Sequence, residues 1–234
     1  MLAGTDNKQQ TRLLASVAEQ LRVLLLQVAR TSELSESEPL SVEQLAELRR
    51  NSQIGLQLVD HYLLGLSYSS KQISLDLEPV SLSALLHEVA HELDKVAKNY
   101  TTELQLHIDG KYPPVMADRA ALKAAVASLG YGLLTTSSLS TKQTVQLAVH
   151  RTPHGIVTGV YGDDVFTAQD IQRGRSLHGR AHQPLTSRTA ASGAGIFVAD
   201  SLFQAMGTSL RSSKFQKRYG LGATFQISGQ TQLV

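Results

Sequence analysis

His87-Glu88-Val89-Ala90-His91 carries the pattern H-E-x-x-H. Histidines at i and i+4 share one face of a helix, where two imidazoles can ligate zinc while the glutamate activates a metal-bound water. The chemistry that spacing points to is a zinc hydrolase. Its context argues against that: no Gly-x-x-His follows, and no obvious glutamate-bearing helix stands ready as a third ligand. A solvated helix face that binds metal only adventitiously is the plainer reading, and no metal site is expected. A second cluster is Asp163-Asp164, after the apolar run Ile156–Val160. Two adjacent carboxylates there fit an acidic turn in water. A third is Gly193-Ala194-Gly195, which runs into a predicted helix with Arg173, Arg175, Arg180 and Arg188 nearby. Exposed N–H groups at a helix start attract anions, so Gly193 and Gly195 are candidates for weak phosphate binding. The same glycines also serve simple turns.

The elements that must position these groups follow from periodicity. Leu14, Val17, Leu21, Leu24 and Val28 make a heptad seam, and Leu45, Leu48, Ser52, Gly55, Val59, Tyr62 and Leu66 make a second. A polar stretch, Thr31–Leu40, separates them, and Ser41 with Gln44 forms a capping box at the second start. Two such helices form an antiparallel hairpin whose seam is half exposed, so two copies are expected to pair into a four-helix bundle. Beyond Ser67 the period changes. Ile73, Leu75 and Leu77 alternate as a strand does, and Ser81 caps a helix bearing Leu82, Leu85, Leu86, Val89, Leu93 and Val96. Leu104, Leu106 and Ile108 alternate again, and Asp118 opens a helix to about Leu134. Strands follow at Thr144–Val149 and Ile156–Val160. Gln172–Ser192 reads as a mobile loop, and a helix from about Gly195 to Ala205 and a strand at Ala223–Ile227 close the chain. Mixed strands and helices of this kind predict a two-layer α/β sandwich.

Composition sets the outer bounds. There is no cysteine, which excludes disulfides, thiolate nucleophiles and cysteine-based zinc sites. The longest strongly apolar run, Val23–Leu26, is far short of a membrane span, and the start of the chain has no signal-peptide core. A soluble, cytoplasmic protein is expected, with no membrane partner. The net charge of +2 conceals an asymmetry: residues 171–234 carry eight bases and one acid, Asp200. A solvated face, phosphate binding and docking onto an acidic surface remain open for that segment, and nucleic acid is not an expected partner.

Leu13-Leu14-Ala15-Ser16-Val17-Ala18-Glu19-Gln20-Leu21-Arg22 resembles the phosphoacceptor box of sensor histidine kinases, with Glu19 where that family has its histidine. Leu56–Ser67 is similar to the end of the kinase hairpin, and Leu77-Glu78-Pro79-Val80-Ser81-Leu82 to the entry of the ATP-binding domain. Asp118-Arg119 with Leu122 resembles the start of the N-box helix. Gly193–Val198 and Gly222-Ala223-Thr224-Phe225 resemble two later boxes. The order of these matches covers nearly the whole chain.

The resemblance implies an α+β protein. Residues 1–70 would be a helical-hairpin dimerisation domain, a four-helix bundle in the dimer, and residues 71–234 an α/β sandwich of the histidine-kinase ATPase type. It also implies what has been lost. A carboxylate at Glu19 has no imidazole nitrogen to attack a γ-phosphoryl group. Ser128 and Gly132 fall where the family carries its magnesium-binding asparagine, and after Val160 one glycine, Gly162, and two adjacent carboxylates do not reproduce its adenine box, where Asp163 or Asp164 could still meet a purine amino group. Phosphoryl transfer depends on positioning and on metal neutralising phosphate charge, so transfer is not expected. The expected protein is a degenerate kinase, or pseudokinase, with no catalytic residue and no required cofactor. Residual nucleotide binding, at Gly193 and Gly195, would be weak and independent of magnesium, or lost. It would act by binding, as a homodimer, to a response regulator or another histidine kinase through the surface around Glu19, Gln20 and Arg22. A divergent but active kinase is the alternative, and the zinc hydrolase comes third.

Overall fold

Ser41 and Gln44 close the capping box reciprocally. The Ser41 Oγ accepts the Gln44 N–H at 3.2 Å, and the Gln44 Oε1 accepts the Ser41 N–H at 2.8 Å. The computed structural model describes residues 25, 28, 41–45, 48, 49, 52, 55, 56, 59, 60, 63, 74–98, 102–136, 143–163 and 187–226. Residues 42–45 and the described positions from 48 to 63 are helical, as are Leu25 and Val28. Leu48, Gly55 and Val59 are half-buried, whereas Val42, Leu45, Leu56 and Leu63 stand exposed. The first seam's other residues, and the turn Thr31–Leu40, lie outside the described residues.

The rest of the fold is a helix-covered sheet. β1 (Glu78–Val80) leads into α1 (Leu82–Ala97), then β2 (Thr102–Ile108), β3 (Val115–Ala117) and α2 (Arg119–Thr136). β4 (Gln143–Thr152), β5 (Gly155–Gly162), α3 (Ser187–Ala205), β6 (Arg211–Phe215) and β7 (Arg218–Phe225) complete it. Five strands lie in the order β2-β4-β5-β7-β6, with β2 parallel to β4 and every other pair antiparallel. β1 and β3 make a separate two-stranded ribbon.

The starts of α1 and α2 have local causes. Ser81 is the N-cap of α1, its Oγ accepting the Ala84 N–H at 3.4 Å. The six apolar positions of α1 named from the sequence are all buried. Asp118 caps α2 through Oδ1, which accepts the Ala121 N–H at 2.9 Å, while its Oδ2 accepts the Asp76 N–H at 3.1 Å and ties down the segment before β1. That tie explains one correction. Of the alternating Ile73, Leu75 and Leu77, Ile73 lies outside the described residues and the other two do not mark a strand, since residues 74–77 are irregular and pairing begins at Glu78. Leu75 packs against the core because the Asp118 bridge holds the segment there, while Leu77 is exposed.

A second correction concerns the segment read as loop through Ser192. Residues 187–192 are helical, and α3 starts eight residues before the predicted Gly195. The start is rich in Ser, Thr, Ala and Gly and so lacks an apolar period. β6, a polar edge strand of sequence RSSKF, was not foreseen at all.

The sheet has two unequal faces. Ile156 and Val160 of β5, Leu147 of β4 and Leu221 of β7 belong to the main core with all three helices. Ala148, Tyr161 and Phe215 form a small second cluster on the other face.

Candidate functional site

Ser128 and Gly132 sit one turn apart on α2, and α3 crosses α2 at this point. Ser128 is buried, and so is Gly195. A Cβ built on Gly195 would overlap the Ser128 carbonyl oxygen, would come within 3.2 Å of the carbonyl carbon and would lie 3.6 Å from the Gly132 Cα. Gly195 is therefore a close-approach residue between two helix backbones. Gly193, Ala194 and Gly195 lie inside α3 rather than at its start, so their N–H groups fall within the intrahelical ladder. The expected anion cradle at a helix N-terminus is not the geometry found. The structure brings Ser128, Gly132 and Gly195 together, and their contact is one of packing.

Asp163 does not join them. Along β5 side chains alternate, with Ile156 and Val160 in the helix-covered core and Tyr161 in the opposite cluster. Asp163, two residues past Tyr161, stands on the uncovered face, and the helix-facing position beside it is Gly162. The Asp163 carboxylate is also engaged: Oδ2 accepts the Thr144 N–H at 2.9 Å, and Oδ1 pairs with the Arg218 Nε at 3.0 Å. Partial burial pushes this carboxyl up, but the Thr144 N–H and the hydrogen bond and charge of Arg218 outweigh it. The net effect holds Asp163 below the usual carboxylate range. Sequence reasoning found Asp163 and missed Arg218, whose side chain also donates to the Gln105 Oε1 at 3.3 Å. No local signal marks that pairing, because it joins the end of β5 to the start of β7. Asp164 lies outside the described residues.

His87, Glu88 and His91 are exposed on the outer face of α1. Glu88 is ion-paired with Arg119 of α2, and Glu92, one turn on, pairs with Lys123 at 3.3 Å. The glutamate that would activate a metal-bound water instead ties two helices together. Among the described residues no three His, Cys, Asp or Glu side chains are grouped to hold a metal ion. Glu92 has a second neighbour, the Tyr131 hydroxyl at 3.5 Å, and burial followed by the Glu92 charge pushes that phenol well up.

Glu19, Gln20 and Arg22, the expected partner surface, lie outside the described residues, as do Arg173, Arg175 and Arg180. No helix among the described residues is long and apolar enough to cross a membrane.

No family model matches the sequence, and no curated protein does. Solved structures do match in fold. The histidine kinase AdeS of Acinetobacter baumannii superposes with a TM-score of 0.58 at 12% identity, covering 89% of this chain and 98% of that one. ShkA, solved full-length in complex with AMPPNP, gives 0.53 at 19% identity over 93% of this chain and 46% of that one. The catalytic domain of the histidine kinase ThkA gives 0.51 at 11% identity, covering 65% of this chain and 97% of that one. The chain has a histidine kinase-like fold, and its five-stranded sheet with helices on one face is of the histidine kinase ATPase type.

Proposed function

We propose that this chain is a histidine kinase-like signalling protein that acts by binding and does not transfer phosphate. It docks a response regulator or a partner kinase on its helical hairpin, around Glu19, Gln20 and Arg22, and it does so as a homodimer. The observation that carries this reading is the use made of the residues at the metal and purine positions. Ser128 and Gly132 serve a helix crossing, and Asp163 is clamped by Arg218 on the face away from them. Metal-assisted phosphoryl transfer needs an oxygen ligand aimed at the phosphates, and none of these positions supplies one. Glu19 removes the acceptor as well. The exposed Leu25, Leu45, Leu56 and Leu63 on helical backbone support the homodimer, since a leucine left in water forgoes roughly 1.5–3 kcal/mol of burial.

The test is incubation with γ-labelled ATP and magnesium, which is expected to leave the chain unlabelled. Acid-labile label on any histidine would overturn the reading. One observation favours the alternative of a nucleotide-binding, active kinase: ShkA, a neighbour in fold, is solved with AMPPNP. Thermal melting separates the two. Ligand at a hundred times its dissociation constant stabilises a fold by about 2.7 kcal/mol, so a large magnesium-dependent shift with ATP would favour the active kinase.

A further inference from the structure

The turn between β6 and β7 reaches strands it does not pair with. β6 lies at the edge of the sheet opposite β2, yet the Phe215 ring is 5.0 Å from His107 on β2 and 4.9 Å from His150 on β4. It also packs 5.5 Å from Tyr161 on β5. The Gln216 Nε2 lies 3.1 Å from the His107 Nε2, and Arg218 reaches both Gln105 on β2 and Asp163 after β5. The hairpin thus curls back across the uncovered face of the sheet. Gln216 holds φ at +53°, a left-handed conformation that a non-glycine residue adopts only at a cost, here within a turn gripped from both sides.

We propose that the β6–β7 hairpin is a proton-released clasp, closed by Phe215 seated against the rings of His107 and His150 and opened when His150 takes up a proton. Opening exposes Ala148, Tyr161 and Phe215, the second apolar cluster of the sheet. This goes beyond the binding function proposed above and does not depend on it.

The polar groups under the clasp supply the reason. The His150 Nδ1 is buried and has no hydrogen-bond partner among the described residues, and neither has the Gln146 Oε1 on the same face. The charged groups on this face can be taken strand by strand. β2 presents Asp109, which is engaged by the His107 Nε2 at 2.7 Å, and Glu103 at its far end, which accepts from the Gln105 Nε2. The end of β5 presents Asp163, which is engaged by Arg218. The hairpin presents Arg218 and Arg211, the latter donating to the Ser209 Oγ at 3.3 Å. The Tyr161 hydroxyl lies 3.3 Å from the Ser213 Oγ, and burial pushes it up to about 12, so it stays neutral. No carboxylate is left to receive a charged His150, so a proton added at its buried Nδ1 must be met by water, which reaches that atom when the hairpin lifts. The His107 Nε2 is itself contested, because one ring nitrogen cannot donate to Asp109 and accept from Gln216 at once.

The sign follows from burial. Desolvation lowers the His150 pKa below 6.5 in the closed state. The open state therefore binds the proton first, and closure weakens as the pH falls below 6.5, down to the closed-state value. Asp163 is held below 3.8, so its bond to Arg218 persists through that window and is not the trigger.

The experiment uses the full chain. NMR of the His150 ring is expected to give a midpoint below 6.5. Hydrogen exchange of the β6 amides, corrected for intrinsic rates, is expected to lose protection between about pH 7.5 and about pH 5.5, up to roughly tenfold for each unit by which that midpoint is depressed. His150→Phe, or His150→Gln if that variant does not fold, is expected to abolish the pH dependence, and Asp163→Asn to leave it in place. Protection that does not change with pH, or a pH dependence that survives in the His150 variants, would overturn the proposal. So would a wild-type His150 that titrates at or above 6.5, which needs no variant to measure.

Discussion

Replacing Gly195 with alanine adds one methyl group at the crossing of α2 and α3. The atoms it meets are the Ser128 carbonyl oxygen and carbon, which are backbone inside a helix and cannot rotate aside. The helices must separate, and because the whole crossing has to move, the cost belongs at the upper end of the usual overpacking range, about 3 kcal/mol. Alanine recovers roughly 1 kcal/mol of helix propensity over glycine. The net loss is then about 2 kcal/mol, or roughly 4–8 °C in melting temperature for a chain of this size. Thermal and urea denaturation of Gly195→Ala against wild type measure it directly.

Gly130→Ala supplies the control. Its new methyl group would overlap a Leu93 methyl, the far end of a flexible side chain, so repacking is available and the net change should stay within about 1 kcal/mol. If Gly195 served a bound phosphate instead of the crossing, its substitution would leave the empty protein as stable as wild type or more so. A Gly195→Ala variant that melts at or above the wild-type temperature would refute the packing argument.

Three other outcomes follow from the same structure. Asp118→Ala leaves the Ala121 and Asp76 N–H groups without their acceptor and should cost about 2 kcal/mol in urea unfolding, with Asp118→Asn recovering part. The Asp163 carboxyl is held below 3.8, so its contribution is fully present above that value and is lost as pH falls through the lower folded-state value. Acid titration of Asp163→Asn should therefore show a shallower loss of stability below about pH 4 than wild type. Sedimentation at micromolar concentration should give a species near twice the 25.3 kDa chain mass, and Leu56→Glu should shift it toward monomer.

The parts of the fold legible in the sequence are those where a local rule decides. Ser41 with Gln44, Ser81 and Asp118 are short-range hydrogen-bond signals, and all three initiate helices where expected. The buried leucines of α1 repeat every three or four residues, and tertiary packing leaves that pattern intact. The start of α3 was not legible, because its residues are small and polar in type. β6 was hidden for a related reason: an edge strand buries little, and RSSKF has Phe215 as its single apolar residue. The candidate site was obscured for a different reason. Gly193-Ala194-Gly195 carries the glycines of a phosphate loop, but a glycine needed for helix contact and one needed for phosphate contact look the same in one dimension. The partnership of Asp163 with Arg218 depends on two chain ends meeting in the sheet, which no local spacing encodes.

Buried polar atoms without partners cost about 1–3 kcal/mol each, so their distribution shows where a fold carries a burden that packing alone does not explain. Among the described residues three side-chain atoms qualify: the Thr158 Oγ1 on the helix-covered face, and the Gln146 Oε1 and His150 Nδ1 on the uncovered one. A hydroxyl such as that of Thr158 can turn toward its own strand and recover part of a bond. Gln146 and His150 have no such recourse while the hairpin is down, and both regain hydrogen bonds to water once it lifts. The helix side is closed in the opposite sense, since backbone meets backbone at Ser128 and Gly195. Local opening begins where the fewest favourable contacts are lost and the most polar groups are relieved. By that criterion the uncovered face, rather than the crossing that resembles a nucleotide site, is the part of this sandwich built to move.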